Sequence, residues 1–132
     1  MLKKTITYTD YNGTERTEDF YFNISEAELH ELELTTEGGY AELLQAAINA
    51  KDAPTLIASF KAIIFKAYGE KSPDGRQFIK SEELSKAFSQ TPAYTQLYMS
   101  LITDANEASN FCKGILPAKV NGVELRPEKA VN

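Results

Sequence analysis

Tryptophan is absent from the chain, histidine and cysteine occur once each, and only five prolines and seven glycines are spread over 132 residues. Each scarcity removes a class of protein. The single cysteine, Cys112, closes no intramolecular disulfide, and no CxxC pair is present to grip zinc, which fits a reducing cytosol. The single histidine, His30, leaves no second imidazole for a metal pair, and no nucleophile stands beside it in sequence. So little proline and glycine argues against a low-complexity or disordered chain. No stretch approaches the roughly 18 apolar residues that a membrane helix needs. Met1-Leu2-Lys3-Lys4 opens like a signal peptide, but an alternating pattern follows where the apolar run should be. Neither a P-loop nor a GxGxxG fingerprint occurs. Positive charge is in deficit too: the net charge of -5 repels phosphate backbones, and Lys61, Lys66 and Lys71 do not fall on one helical stripe. No cofactor, metal, membrane or nucleic acid is therefore expected as a partner.

What is present reads as an α+β, mostly α fold. Leu2, Lys4, Ile6 and Tyr8 alternate with Lys3, Thr5 and Thr7, as a half-buried strand does. Asp10-Tyr11-Asn12-Gly13 supplies hairpin-turn chemistry, and the aromatic-rich Glu18 to Phe22 provides a returning strand. After this hairpin the period changes to that of helices. Ser25 with Glu28 forms a capping box, flanked by Ile24 and Leu29 at the staple positions. Gly38-Gly39 interrupts the chain before Tyr40, Leu43, Leu44, Ala47 and Ile48, which share one helical face. From Pro54, a helix carries Leu56, Ile57, Phe60, Ile63, Ile64, Phe65 and Tyr68, apolar around much of its circumference, and Gly69 is expected to end it. Ser72-Pro73-Asp74-Gly75 is a turn, and Phe78-Ile79 a short extended piece. Ser81, Thr91 with Pro92, and Asp104 with Glu107 each signal a further helix start. The expected architecture is a single domain over 1–116, a β-hairpin (1–23) followed by a compact helical bundle (25–116) of about five or six helices. A flexible C-terminal tail is expected over 117–132.

The remaining chemistry is thin. A Cys112–His30 dyad would form only if folding joined the two, and Cys112 sits on an apolar stripe that favours an inert thiol. The segment from Glu70 fails as a calcium loop. With Gly75 at the sixth position, Gln77 and Ser81 fall where an apolar residue and a bidentate glutamate belong. Charge is uneven, with Glu26, Glu28, Glu31, Glu33, Glu37 and Glu42 near one end and Lys113, Lys119, Arg126 and Lys129 near the other. That is a solvated helix face with a loose tail, or a means for neighbouring copies to attract end to end, or a tail that finds an acidic partner.

The string from Tyr68 to Leu84 (YGEKSPDGRQFIKSEEL) is distinctive, together with Phe88 to Tyr94 and Phe111 to Pro117. With Tyr11-Asn12-Gly13 and Phe20 to Asn23, it resembles the tail assembly chaperones of long-tailed phages, or prophages, of Gram-positive bacteria, over residues 1 to 117. The resemblance implies a non-enzymatic protein of the host cytoplasm that leaves before the virion is complete. Such proteins bind the tape measure protein, keep it soluble and promote assembly of the tail tube around it. The tail tube protein and further copies of the chain are additional candidate partners. An apolar helical groove would shield the client's amphipathic helices, with Phe65, Tyr94, Tyr98 and Phe111 as candidate contacts. The competing readings are a tail or connector protein retained in the virion, a small cytosolic interaction module, and an enzyme whose site assembles only in three dimensions.

Overall fold

The computed structural model describes residues 1–49, 53–117, 119–120 and 123–124. Strands β1 (Leu2–Thr9) and β2 (Glu15–Phe22) form the N-terminal hairpin, followed by helices α1 (Glu26–Thr35), α2 (Tyr40–Ile48) and α3 (Ala53–Ala67). Two short strands, β3 (Tyr68–Lys71) and β4 (Phe78–Ile79), lead into α4 (Glu82–Ser89), α5 (Pro92–Thr103) and α6 (Ala105–Ile115). The architecture is α+β and mostly helical, a hairpin followed by six helices among the described residues, as the sequence pattern predicts. Of the expected tail, β5 (Lys119–Val120) pairs with β6 (Val123–Glu124), and most of the rest lies outside the described residues.

The hairpin obeys its alternation. Ile6 and Tyr8 are buried while Lys3, Thr5 and Thr7 face solvent, so one sheet face carries the helices and the other is wet. Its turn is tightened by Asp10, whose Oδ1 accepts the amides of Asn12 and Thr14, both at 2.9 Å. Arg16 donates to the same carboxylate at 2.6 Å and, with those amides, holds the Asp10 carboxyl below the usual range. Gly13 takes a φ of 83°, which a side chain would oppose. The returning strand begins at Glu15, three residues earlier than expected, because Thr17 and Asp19 find cross-strand partners in Thr7 (2.9 Å) and Thr5 (2.6 Å).

The sheet is wider than a hairpin, and here the sequence reading needs correcting. Tyr68 and Gly69 do not finish α3. They turn extended and pair with β2 through Tyr21↔Gly69 and Phe22↔Tyr68, giving a four-stranded antiparallel sheet in the order β1-β2-β3-β4. Gly69 is no helix cap. A Cβ there would stand 2.7 Å from the Ile79 carbonyl oxygen and 2.7 Å from the Phe78 ring, so only glycine lets β3 and β4 close. The tip between them is a compact turn: Ser72 Oγ donates to Asp74 at 2.7 Å and accepts the Gln77 amide at 3.0 Å. The Asp74 carboxylate, which the calcium-loop register would need, is engaged by Ser72 and the Arg76 amide.

Helix starts fall where their caps stand. Ser25 Oγ accepts from Glu28 N–H at 3.1 Å while Glu28 Oε1 accepts from Ser25 N–H at 2.9 Å, and both Ile24 and Leu29 are fully buried. Ser81, Thr91 and Asp104 cap α4, α5 and α6. Gly38 and Gly39, at φ 79° and 90°, separate α1 from α2. On α2, Tyr40, Leu44 and Ala47 are buried, whereas Leu43 stays 47% exposed, outside the inward stripe the spacing assigned it.

The core gathers Phe22, Phe60, Phe111, Ile24, Leu29, Ile64, Leu101 and Ile115, all essentially solvent-free. Three elements meet at its edge where β2 runs into α1: Asn23 N–H donates to Ala67 O and Ile24 N–H to Ile115 O, both at 2.8 Å. Lys80 completes the junction, its Nζ donating to Asn23 O at 2.8 Å, Lys66 O at 3.0 Å and Glu28 Oε1 at 2.9 Å.

Candidate partner-binding site

Helix α3 buries Phe60, Ile63, Ile64 and Ala67 and turns Ile57, Ala58, Lys61, Ala62 and Phe65 outward. Ile57, Lys61 and Phe65 follow at intervals of four, so they line one stripe, with Ala58 and Ala62 beside it. Ile57 is 39% exposed and Phe65 37%. The result is an apolar helical face with small residues along one flank and a lysine at its centre. A neighbouring helix could approach closely over the alanines and set an acidic group against Lys61.

Helix α5 offers a second, aromatic surface. Ala93, Leu97 and Leu101 form its buried line, and Tyr94, Tyr98 and Ile102 a half-buried line alongside. The Tyr94 and Tyr98 rings stack at 5.8 Å and 17°. Tyr94 then meets Phe88 edge-on at 5.8 Å, Phe88 stacks on Tyr68 at 4.3 Å, and Phe88 also abuts Phe22 at 5.8 Å. An aromatic series thus runs from the surface pair to the centre of the core, and such contacts fix ring positions beyond what area burial alone would do. Partial burial, with the neighbouring Tyr98, raises the Tyr94 hydroxyl above its usual pKa, so it remains a neutral donor.

Of the four residues singled out from sequence, Phe65 stands on the outer face of α3, and Tyr94 and Tyr98 are brought together on α5. Phe111 lies inside the fold. It is 2% exposed and packs edge-on against Phe22 at 5.2 Å, because the apolar stripe of α6 faces the sheet. It serves the core and offers no surface in this conformation. Ile57, Ala58 and Ala62 were missed as companions of Phe65, although their spacing around it was visible.

The residues suspected of chemistry fall elsewhere. His30 is on the exposed side of α1. Cys112 is buried on α6, and burial pushes its thiol up to about 12, far from the thiolate a nucleophile needs. Tyr40, close enough to feel Cys112, is likewise pushed by burial to about 12. Among the described residues, no three of His, Cys, Asp and Glu gather into a metal-binding group, and no helix is long and apolar enough to cross a membrane.

Among the described residues, a four-stranded antiparallel sheet with one solvent-facing side and six helices that leave some apolar and aromatic surface outside make up an α+β fold. The chain belongs to the phage tail assembly chaperone family, whose model matches residues 1–127 and so runs past the last of the motifs described above. No curated protein and no solved structure matches it.

Proposed function

We propose that this chaperone binds the tape measure protein in the host cytoplasm, without catalysis, keeps it soluble, and promotes assembly of the tail tube around it. The supporting observation is the outward apolar stripe of α3 in a chain of this family, an arrangement suited to an amphipathic helix. A tape measure chain exposes such helices before its tube exists, and uncovered they would self-associate. Covering the exposed parts of Ile57 and Phe65 is worth roughly 1–2 kcal/mol each. Contacts of that size are weak singly and become strong through avidity when many copies line one client. Weak individual contacts also let the chaperone leave as the tube closes.

Co-expression tests the reading. The tape measure protein should be soluble with the parent chain and insoluble with the double variant Ile57→Glu, Phe65→Glu, while that variant keeps the parent's helical circular dichroism. A client equally soluble with both, or equally insoluble with and without the parent, refutes it.

A further inference from the structure

The outer edge of β1 carries a second surface of a different kind. Asp10 N–H donates to Thr14 O across the hairpin end. In an antiparallel ladder this orientation alternates, so Tyr8, Ile6 and Lys4 also turn their N–H and C=O toward β2. Thr5, Thr7 and Thr9 turn theirs the other way. The side-chain bonds Thr5–Asp19 and Thr7–Thr17 agree, since residues between ladder bonds bring their side chains closest. Among the described residues, β1 pairs with β2 alone.

Those outward groups open into a cleft of about 550 Å³. One wall is Lys4, Thr5, Ile6 and Thr7, four consecutive residues of alternating pleat, which sets the cleft along the strand's edge. Across it stand Gln96 and Ser100 of α5 and, at the start of α6, Asp104 and Glu107. The lysines of this strand, Lys3 and Lys4, stand at its start, and the stretch Thr5 to Thr9 carries neither proline nor lysine. Lys4 reaches Glu107 at 3.6 Å, whereas Asp104, exposed and capping α6 through Oδ1, has no lysine or arginine partner among the described residues.

We infer that this edge is a strand-addition site that takes an extended, basic segment of a partner polypeptide. Four residues of strand span about 13 Å, and the segment's main chain would bond to the N–H and C=O groups of Thr5 and Thr7. Its side chains on the helix side would meet Gln96 and Ser100, and a lysine or arginine would face Asp104. This goes beyond the helical client: it concerns another surface, another backbone conformation and another kind of hydrogen bond.

The test uses the full chain and a capped peptide of alternating threonine and lysine, about seven residues long, followed by amide NMR and hydrogen exchange. The amides of Thr5 and Thr7 should exchange freely without peptide and gain at least roughly tenfold protection with it. The amides of Lys4 and Ile6 should be protected in both states. Replacing the peptide's lysines by glutamate, or methylating its backbone nitrogens, should weaken binding at least tenfold. Thr5→Pro removes an outward N–H and the Thr5–Asp19 side-chain bond while sparing the backbone bonds of the β1–β2 ladder, and should abolish binding. Should that variant not fold, Gln96→Trp, which fills the cleft from the helix side, serves the same purpose. Phe65→Glu should bind the peptide normally, so this proposal and the helical-client reading stand or fall separately. Equal binding of the acidic or methylated peptide, or no protection at Thr5 and Thr7, overturns the inference. So does protection of those amides that rises with protein concentration alone, which would give the edge to a second copy.

Discussion

Replacing Lys80 by methionine keeps the apolar stem of the side chain and removes its ammonium, so the variant isolates the polar junction between β4, α1 and the end of α3. Three bonds vanish, to Asn23 O, Lys66 O and the Glu28 carboxylate, which Nζ approaches to 2.7 Å. A hydrogen bond to a charged group is worth about 1.5–3 kcal/mol when shielded. The Glu28 side chain is 39% exposed and that of Lys80 21%, so solvent screens part of the pair. The net loss should be about 2–3 kcal/mol, or roughly a 10 °C fall in Tm for a domain of this size. Glu28→Gln should cost about 1 kcal/mol, and the two changes should be less than additive because they share one interaction. Acid adds a signed check. Burial pulls the Glu28 carboxyl upward, but Lys80 and the Ser25 amide outweigh it and hold the group below its ordinary 4.5. A carboxyl lowered by folding stabilises fully above its unfolded pKa and loses that contribution as the pH falls through its folded pKa. The gap between parent and Lys80→Met should thus be widest near neutrality and narrow as the pH drops below the ordinary carboxyl value. Thermal and urea unfolding across that range would measure it. A Tm within about 2 °C of the parent at pH 7 would refute the assignment of Lys80 as the junction's clasp.

Two further outcomes follow from the packing. Gly69→Ala should destabilise by about 2–3 kcal/mol in urea unfolding, since the new methyl meets the Ile79 backbone, which cannot swing aside. Gly114→Ala should be milder, because the nearest atoms in its way are the two methyls of Leu2, with the Leu2 Cβ farther off at 3.3 Å. Cys112 should resist thiol reagents at pH 8 in the folded protein, its thiol standing at about 12, and react promptly once denaturant exposes it. Labelling within minutes under native conditions would contradict its burial.

Local signals were the legible ones. Ser25, Ser81, Thr91 and Asp104 announced their helices because a cap is a bargain struck within three residues, and all four bonds are present. The hairpin was legible for the same reason. What escaped was non-local. Tyr68 continues the apolar spacing of α3 so well that nothing nearby reveals its pairing with Phe22, 46 residues earlier in the chain (68 minus 22). Lys80 looks like any lysine before an N-cap; its value comes from carbonyls that only the fold brings to it. The surface was half legible. Phe65 and the Tyr94–Tyr98 pair lie outward or partly so, but the same helical stripe that made Phe111 look available is what seats it on Phe22. The β1 cleft was invisible because its far wall comes from α5 and α6.

The Asn23–Ile24 junction also constrains how the molecule is born. Its amides wait for Ala67 and Ile115, and its carbonyl for Lys80. A ribosome delivers Ala67 first, then Lys80 and last Ile115, so the hairpin emerges long before anything can satisfy the peptide units that follow its second strand. The knot tightens only once α6 has left the exit tunnel, which makes nascent chains stalled short of Ile115 open, sticky and exposed to proteases.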